Sequence, residues 1–274
     1  MFKITKKQKL AENTHLMEIE APEIAKKAKA GQFIILRIDE KGERIPLTIA
    51  DFSKTTVTIV FLVVGKTTQQ LANLRKGDSL LDFVGPLGNP SKIEEYGTVC
   101  IIGGGLGIAP IYPIGAALKK AKNRIVTIIG AKTKKHLFWE DKFRKISDKL
   151  IICTDDGSKG VKGFVSKALK DYMEEERPNL VIAIGPPVMM KSVADITKDR
   201  VKTIASLNPI MIDGMGMCGG CRVIIDEEVK FACSDGPEFD AHKIDWDELI
   251  SRNRMYTEEE EQCKNQKCVK KDKK

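Results

Sequence analysis

The amino-acid sequence predicts a β + α/β fold in consecutive parts. An N-terminal antiparallel β-barrel is expected over residues 1–95, and a doubly wound parallel α/β domain over 96–205. A small cysteine-bearing module follows over 206–245, then a helix and charged tail over 246–274. Three observations carry this reading. Short β-branched runs recur up to about residue 95, with turn residues between them. From Thr98 onward, wholly apolar runs alternate with amphipathic stretches, the pattern of strands buried on both faces by helices. Finally, Asp213-Gly-Met-Gly-Met-Cys218-Gly-Gly-Cys221 and the later Cys233 place three cysteines in a glycine-rich loop and its return strand.

The barrel strands are read at His15–Glu20, Gln32–Ile38, Ile45–Ala50 and Thr56–Val64, with one short helix over Thr67–Leu74. Several short strands at this spacing, rich in Ile, Val and Thr, suit a small closed sheet. In the second part, a strand over Thr98–Ile102 stops at Gly103 and a helical pattern runs on through Ala117. Strands at Arg124–Gly130, Leu150–Asp155, Leu180–Gly185 and Thr203–Leu207 then alternate with helices at Trp139–Ser147, Phe164–Glu175 and Val188–Thr197. Beyond Cys233 an acidic stretch leads to a helix at Asp245–Ser251.

Composition narrows the function. The chain has 274 residues, 42% hydrophobic and 31% charged, with no apolar run near the roughly 20 residues of a membrane span. The first residues lack the apolar stretch of a signal peptide, so the cytoplasm is expected, where free thiolates persist. Net charge is +8, but the lysines are scattered and aromatics make up only 6%. That pattern speaks against a nucleic-acid interface. No Ser-His-Asp arrangement or paired carboxylates stand out, and His15, His136 and His242 are isolated, so no catalytic side chain is assigned. Cys100 and Cys153 fall inside apolar strands as small core residues. Cys263 and Cys268 repeat a C-x4-C spacing in a polar tail, where they need bind nothing.

The cysteine module carries the sharpest signal. Its spacing is D-x4-C-x2-C-x11-C, against the C-x4-C-x2-C…C of plant-type 2Fe-2S ferredoxins. Asp213 stands where the first cysteine would, so Asp213, Cys218, Cys221 and Cys233 are the candidate metal ligands. Glycines let the backbone wrap closely and aim amides at sulfur. Zinc would also accept three thiolates and a carboxylate, though zinc knuckles rarely run through so many glycines. A redox C-x2-C normally opens a helix, whereas Arg222-Val-Ile-Ile reads as a strand. Iron–sulfur is the reading the spacing favours.

Glycine segments supply the second signal. Gly103-Gly104-Gly105-Leu-Gly107-Ile108-Ala109-Pro110 follows a buried strand and opens a helix, where backbone amides attract phosphate. It is not in the G-x-G-x-x-G register. Gly185, Pro186 and Met189 begin a later helix at the same carboxyl edge, and Asp155 lies in a third turn there. Lys132, Lys134 and Lys135 follow the strand ending at Gly130, where a ribose or its 2′-phosphate could be contacted, and read first as a solvated face. In the barrel, Arg44-Ile-Pro46-Leu47-Thr48 offers a fork of donors beside a stiffened strand. Gly65, Thr67 and Thr68 open a helix, a further anion site.

With these segments in order, residues 1–245 resemble the ferredoxin–NADP reductase superfamily. Within it they are similar to the electron-transfer subunits related to that of dihydroorotate dehydrogenase. Asp213 in place of a cysteine makes the module look like the small subunits of NADH-dependent ferredoxin:NADP oxidoreductases, the sulfide dehydrogenase type. The resemblance implies FAD at Arg44–Thr48 and Gly65–Thr68, and NAD(H) or NADP(H) at Gly103–Pro110 and Gly185–Met189. It also implies one 2Fe-2S cluster and a larger flavin/iron–sulfur partner subunit, through which ferredoxin is served. The expected activity is hydride exchange between NAD(P)H and FAD, with single electrons leaving through the cluster. Membership of an NAD-dependent dihydroorotate dehydrogenase is the alternative.

Overall fold

The computed structural model describes residues 1–259; Cys263, Cys268 and the charged tail expected there lie outside the described residues. The N-terminal sheet contains β1 (Phe2–Ala11), β2 (Thr14–Glu20), β3 (Phe33–Arg37), β4 (Ile45–Phe52), β5 (Thr56–Leu62), β6 (Ser79–Leu80) and β7 (Asp82–Leu87). Its order is β6-β1-β2-β5-β4-β3-β7, with every neighbouring pair antiparallel. Because β6 and β7 are separated only by Leu81, whose N–H still bonds the Arg37 carbonyl, one stretch joins both edges and nearly closes a barrel. Closure removes edges that would otherwise pair with other chains. The interior is filled by Ile4, Met17, Ile34, Leu36, Ile49, Ile59, Phe61 and Phe83 among others. Two helices attend it, α1 (Pro22–Ala25) and α2 (Lys66–Asn73).

The second sheet is built from β8 (Thr98–Gly104), β9 (Arg124–Ala131), β10 (Lys149–Thr154), β11 (Val161–Lys162), β12 (Leu180–Ile184) and β13 (Lys202–Ser206). Helices α3 (Ile108–Lys120), α4 (Glu140–Ile146), α5 (Val165–Glu175) and α6 (Pro187–Thr197) lie between the strands. The order β11-β10-β9-β8-β12-β13 is parallel throughout, and its sequence reverses at β8. Alternate β8 residues feed opposite cores: Val99 and Ile101 pack with α3 and α4 residues, Cys100 and Ile102 with α5 and α6 residues. Cys100 and Cys153 are both fully buried in that second core, as their apolar strands imply.

The remaining elements are a hairpin of β14 (Arg222–Ile225) and β15 (Glu228–Phe231), then β16 (Glu238–Asp240) and α7 (Trp246–Arg252). β16 adds antiparallel to β13, so the acidic stretch after Cys233, to which the sequence assigned no element, is stitched to the parallel sheet. Trp246 and Leu249 of α7 share a core with Cys221, Cys233 and Val223, and the same core takes in Phe33 and Ile35 from the barrel. No helix among the described residues is long and apolar enough to cross a membrane.

Candidate functional site

At the carboxyl edge of the parallel sheet, register brings the candidate nucleotide turns side by side. Gly103 is paired with Ile184, Gly104 with Gly130, and Thr154 with Ala131. The strand extends two residues past its expected end, and a single 3-10 turn over Gly105–Gly107 precedes α3. The glycines are needed for close approach. A Cβ on Gly107 would stand 2.0 Å from the Ile184 carbonyl oxygen, and one on Gly104 would stand 2.2 Å from the Met189 sulfur. The Gly103–Pro110 and Gly185–Met189 turns are therefore packed against each other at the point where strand order reverses, the usual position for a ligand in an open α/β sheet. Pro110 and Pro113 sit in the first turns of α3, where Pro110 forgoes no intrahelical bond.

Asp155 lies two strands away on the same edge, with its N–H on the Ala131 carbonyl. Lys132, Lys134 and Lys135 are exposed, and the Lys134 N–H donates to Ser158 Oγ at 2.8 Å, which links this basic segment to the Asp155 turn.

On the barrel, Ile45–Thr48 are half-buried along β4 rather than alternating, so this strand leaves surface uncovered on both faces. Arg44 is 4.0 Å from Asp82, and its Nε donates to the Ile212 carbonyl at 3.0 Å. The same arginine therefore touches the cysteine loop one residue before Asp213, which the sequence pattern did not disclose. At the start of α2, Thr68 Oγ1 accepts from the N–H groups of Val64 and Gly65, both at 3.0 Å. The Thr67 hydroxyl donates to Glu43. Both hydroxyls are thus engaged within the protein, leaving N–H groups of the helix's first turn as donors for an anion. Beside them is a cleft of about 460 Å³ between Asp39–Glu43 and Lys66, Thr67 and Gln70 of α2. Of its lining, Glu43, Lys66 and Gln70 carry no sequence signal beyond proximity to a helix start.

The cysteine loop is held by a carboxylate. Asp213 Oδ1 accepts from Met215 N–H at 3.0 Å, and Oδ2 accepts from Met217 and Cys218 N–H at 2.9 and 2.8 Å. Burial pushes the Asp213 pKa up, but these N–H bonds and the neighbouring Cys218 thiol outweigh it and hold the carboxyl below its usual range. Gly214 has φ +76°, and a Cβ there would stand 2.9 Å from both Ile35 and Leu87, so glycine lets the loop lie on the barrel. Cys221 and Cys233 are buried with their sulfurs 3.1 Å apart, and the Gly216 N–H points at Cys233 Sγ at 3.1 Å. Burial first, then Cys221, pushes the Cys233 pKa up to about 12. Such a thiol ionises when a cation stands beside it. Cys218 is exposed.

The four candidate ligands therefore form two pairs, Asp213 with Cys218 and Cys221 with Cys233. Among the described residues no three of His, Cys, Asp and Glu converge as a mononuclear ion requires. Two pairs of anionic donors, with loop amides aimed at sulfur, fit a two-iron cluster better than a tetrahedral zinc. A carboxylate has about four acceptor positions, and three are filled here, which leaves one for a metal. Asn89, which the sequence reading also missed, donates to the Ser234 and Asp235 carbonyls and so fixes the turn after Cys233.

A nearly closed barrel, a parallel nucleotide-type sheet and an iron–sulfur-type loop together define an electron-transfer subunit of the ferredoxin-reductase fold. Residues 101–195 match the family described as an oxidoreductase NAD-binding domain, and residues 208–245 match the iron–sulfur cluster binding domain of dihydroorotate dehydrogenase B. A Thermotoga maritima homologue of the dihydroorotate dehydrogenase B (NAD(+)) electron transfer subunit is 49% identical, over 94% of this chain and 92% of its own. The electron transfer subunit of Desulforamulus reducens is 32% identical, over 87% of this chain and 95% of its own. A solved chain from the NADH-dependent reduced ferredoxin-NADP oxidoreductase superposes with a TM-score of 0.92 at 47% identity, over 97% of each chain. The chain belongs to the family of dihydroorotate dehydrogenase B electron-transfer subunits and their homologues.

Proposed function

We propose that this chain is the smaller subunit of an NADH-dependent ferredoxin:NADP oxidoreductase. In this reading it exchanges hydride between a nicotinamide nucleotide and FAD and passes single electrons to a larger flavin/iron–sulfur subunit. The observation that carries the reading is Asp213, braced by three loop amides and paired with Cys218. The likeness to the solved oxidoreductase chain supports it. The dihydroorotate dehydrogenase reading is supported instead by the names of the curated relatives.

When bound, FAD and the 2Fe-2S cluster supply the conversion of two-electron into one-electron chemistry. The chain's own residues position and insulate. Arg44 offers its guanidinium to the FAD pyrophosphate beside Pro46, Leu47 and Thr48. The Gly65–Thr68 turn offers amides, and the adjoining cleft takes the adenosine end. Gly103–Pro110 and Gly185–Met189 receive NAD(H) or NADP(H), with Asp155 placed to accept from a ribose hydroxyl. Asp213, Cys218, Cys221 and Cys233 hold the iron. The functional units are residues 1–95 for FAD, 96–205 for the nucleotide and 206–245 for the cluster.

Affinity purification of the tagged chain from its native host under anaerobic conditions tests the partner. The reading expects a large flavin/iron–sulfur subunit and NADH-dependent reduction of NADP with reduced ferredoxin. Recovery of a dihydroorotate-oxidising subunit would overturn it in favour of the second reading.

A further inference from the structure

Among the described residues, α7 ends in an arginine that turns back onto the cysteine loop. Arg252 Nη2 donates to the Gly220 carbonyl at 3.2 Å, and Gly220 lies between Cys218 and Cys221. The side chain is largely buried, 15% exposed, as a charged group tolerates only with partners. Its acidic neighbour, Glu248, one turn earlier, is 3.5 Å from Arg252 Nε through Oε1, while its Oε2 is buried with no hydrogen-bond partner among the described residues. The helix is not free to carry these groups away. Trp246 Nε1 bonds the Ala241 carbonyl, the Asp245 N–H bonds the Ile224 carbonyl, and Leu249 shares a core with both buried cysteines. One fixed cation therefore lies against the cysteine loop, with an incompletely bonded carboxylate beside it, on an element outside the 208–245 cluster match.

We propose that Arg252 and Glu248 are positioning residues that set the reduction potential of the cluster held by this loop, with opposite signs. The role rests on the cluster reading above. One-electron reduction of the cluster, by reduced flavin in the proposed reaction or by a mediator in a titration, adds one negative charge within the loop. A guanidinium held against Gly220 lowers the free energy of that state, and a carboxylate beside it raises it. Arginine suits the position because it stays charged when buried and its planar fork reaches the carbonyl and Glu248 together. The hydrogen bond also holds the loop between two ligands, so geometry and charge are delivered by one side chain.

The test is a mediated redox titration of the purified protein, followed by the low-temperature EPR signal of the reduced cluster, with melting curves to check folding. Arg252→Gln keeps a donor for the Gly220 carbonyl and removes the charge. It is expected to lower the equilibrium constant for reduction about tenfold, a shift of about 59 mV to more negative potential for one electron. Glu248→Gln shifts the potential the other way, and Arg252→Lys stays near the wild-type value. If Arg252→Gln and Glu248→Gln both leave the potential unchanged, or move it in the same direction, the proposed role is overturned while the cluster reading stands. Absence of any cluster signal in the wild-type protein overturns the cluster reading and this role with it.

Discussion

Asp213 is the brace of the cysteine loop. Its carboxylate gathers the N–H groups of Met215, Met217 and Cys218, and in the proposed reading it also serves as a ligand beside the Cys218 thiol. Asp213→Ala should lose the loop brace, at a cost of about 1 kcal/mol by analogy with a lost N-cap, and should lower the iron bound per chain. Asp213→Cys should retain a cluster whose potential and visible spectrum differ from wild type; an unchanged potential and spectrum would remove Asp213 from the ligand set. Glu238 makes a separate prediction. It is bonded by Ser91 in the segment joining barrel to sheet; burial raises its pKa, and the Ser91 hydroxyl offsets this only in part. The unfolded carboxyl titrates near 4.5, below its folded value. Between the two the folded state holds more proton, so this group's contribution to stability is complete below 4.5 and is lost as pH rises through the folded value. Glu238→Gln keeps an acceptor for Ser91 and should gain in melting temperature over wild type as pH is raised from 5 to 8. A pH-independent difference would contradict this account.

The elements differ in how far local sequence announces them. The central strands β3, β5, β8, β9 and β12 are runs of β-branched residues, and they lie where their hydrophobicity places them. β1 escaped because Phe2–Ala11 carries four lysines and only Ile4 of the ten is buried, so its pairing with β2 decides its structure. β16 is three residues long and exists through its ladder with β13. The proposed metal ligands could be picked out because thiolate spacing is chemistry written in sequence order. Arg252 was not, since the carbonyl it binds lies 32 residues away. The glycine turns were legible as glycine-rich, but not the reason: Gly104 and Gly107 are required by contact with the Gly185–Met189 turn. Gly107→Ala should therefore cost about 1–3 kcal/mol of stability, because the Ile184 carbonyl cannot move without disturbing β12. Nucleotide affinity should fall with it; a stable variant with unaltered affinity would show that the two turns are independent.

Across the whole molecule, the three parts are joined by shared cores rather than loose linkers. Leu16, Ala50 and Val60 of the barrel pack with Ile108, Ile111 and Ile129 of the α/β part, and Phe33 and Ile35 pack with the core of the cysteine module. Lys142 adds a tie across the first of these boundaries: it bonds Asp51 of β4 at 3.0 Å and lies over the rings of Trp139 and Tyr112 at 4.2 and 4.6 Å. Arg44 ties the barrel to the metal loop. Such an arrangement keeps β4, the carboxyl edge of the parallel sheet and the cysteine loop in fixed relation, as the proposed transfer between bound groups requires.

The central claim is that electrons from a nicotinamide nucleotide reach this loop within a single chain. Its most direct test is anaerobic reduction of the purified protein by NADH or NADPH, followed by flavin absorbance and cluster EPR, on protein assayed for FAD, iron and sulfide. The account predicts one FAD and about two iron and two sulfide per chain. It also predicts flavin bleaching accompanied by the signal of a reduced 2Fe-2S cluster. Flavin bleaching with no cluster signal, in protein whose cluster is reduced by dithionite, would contradict it.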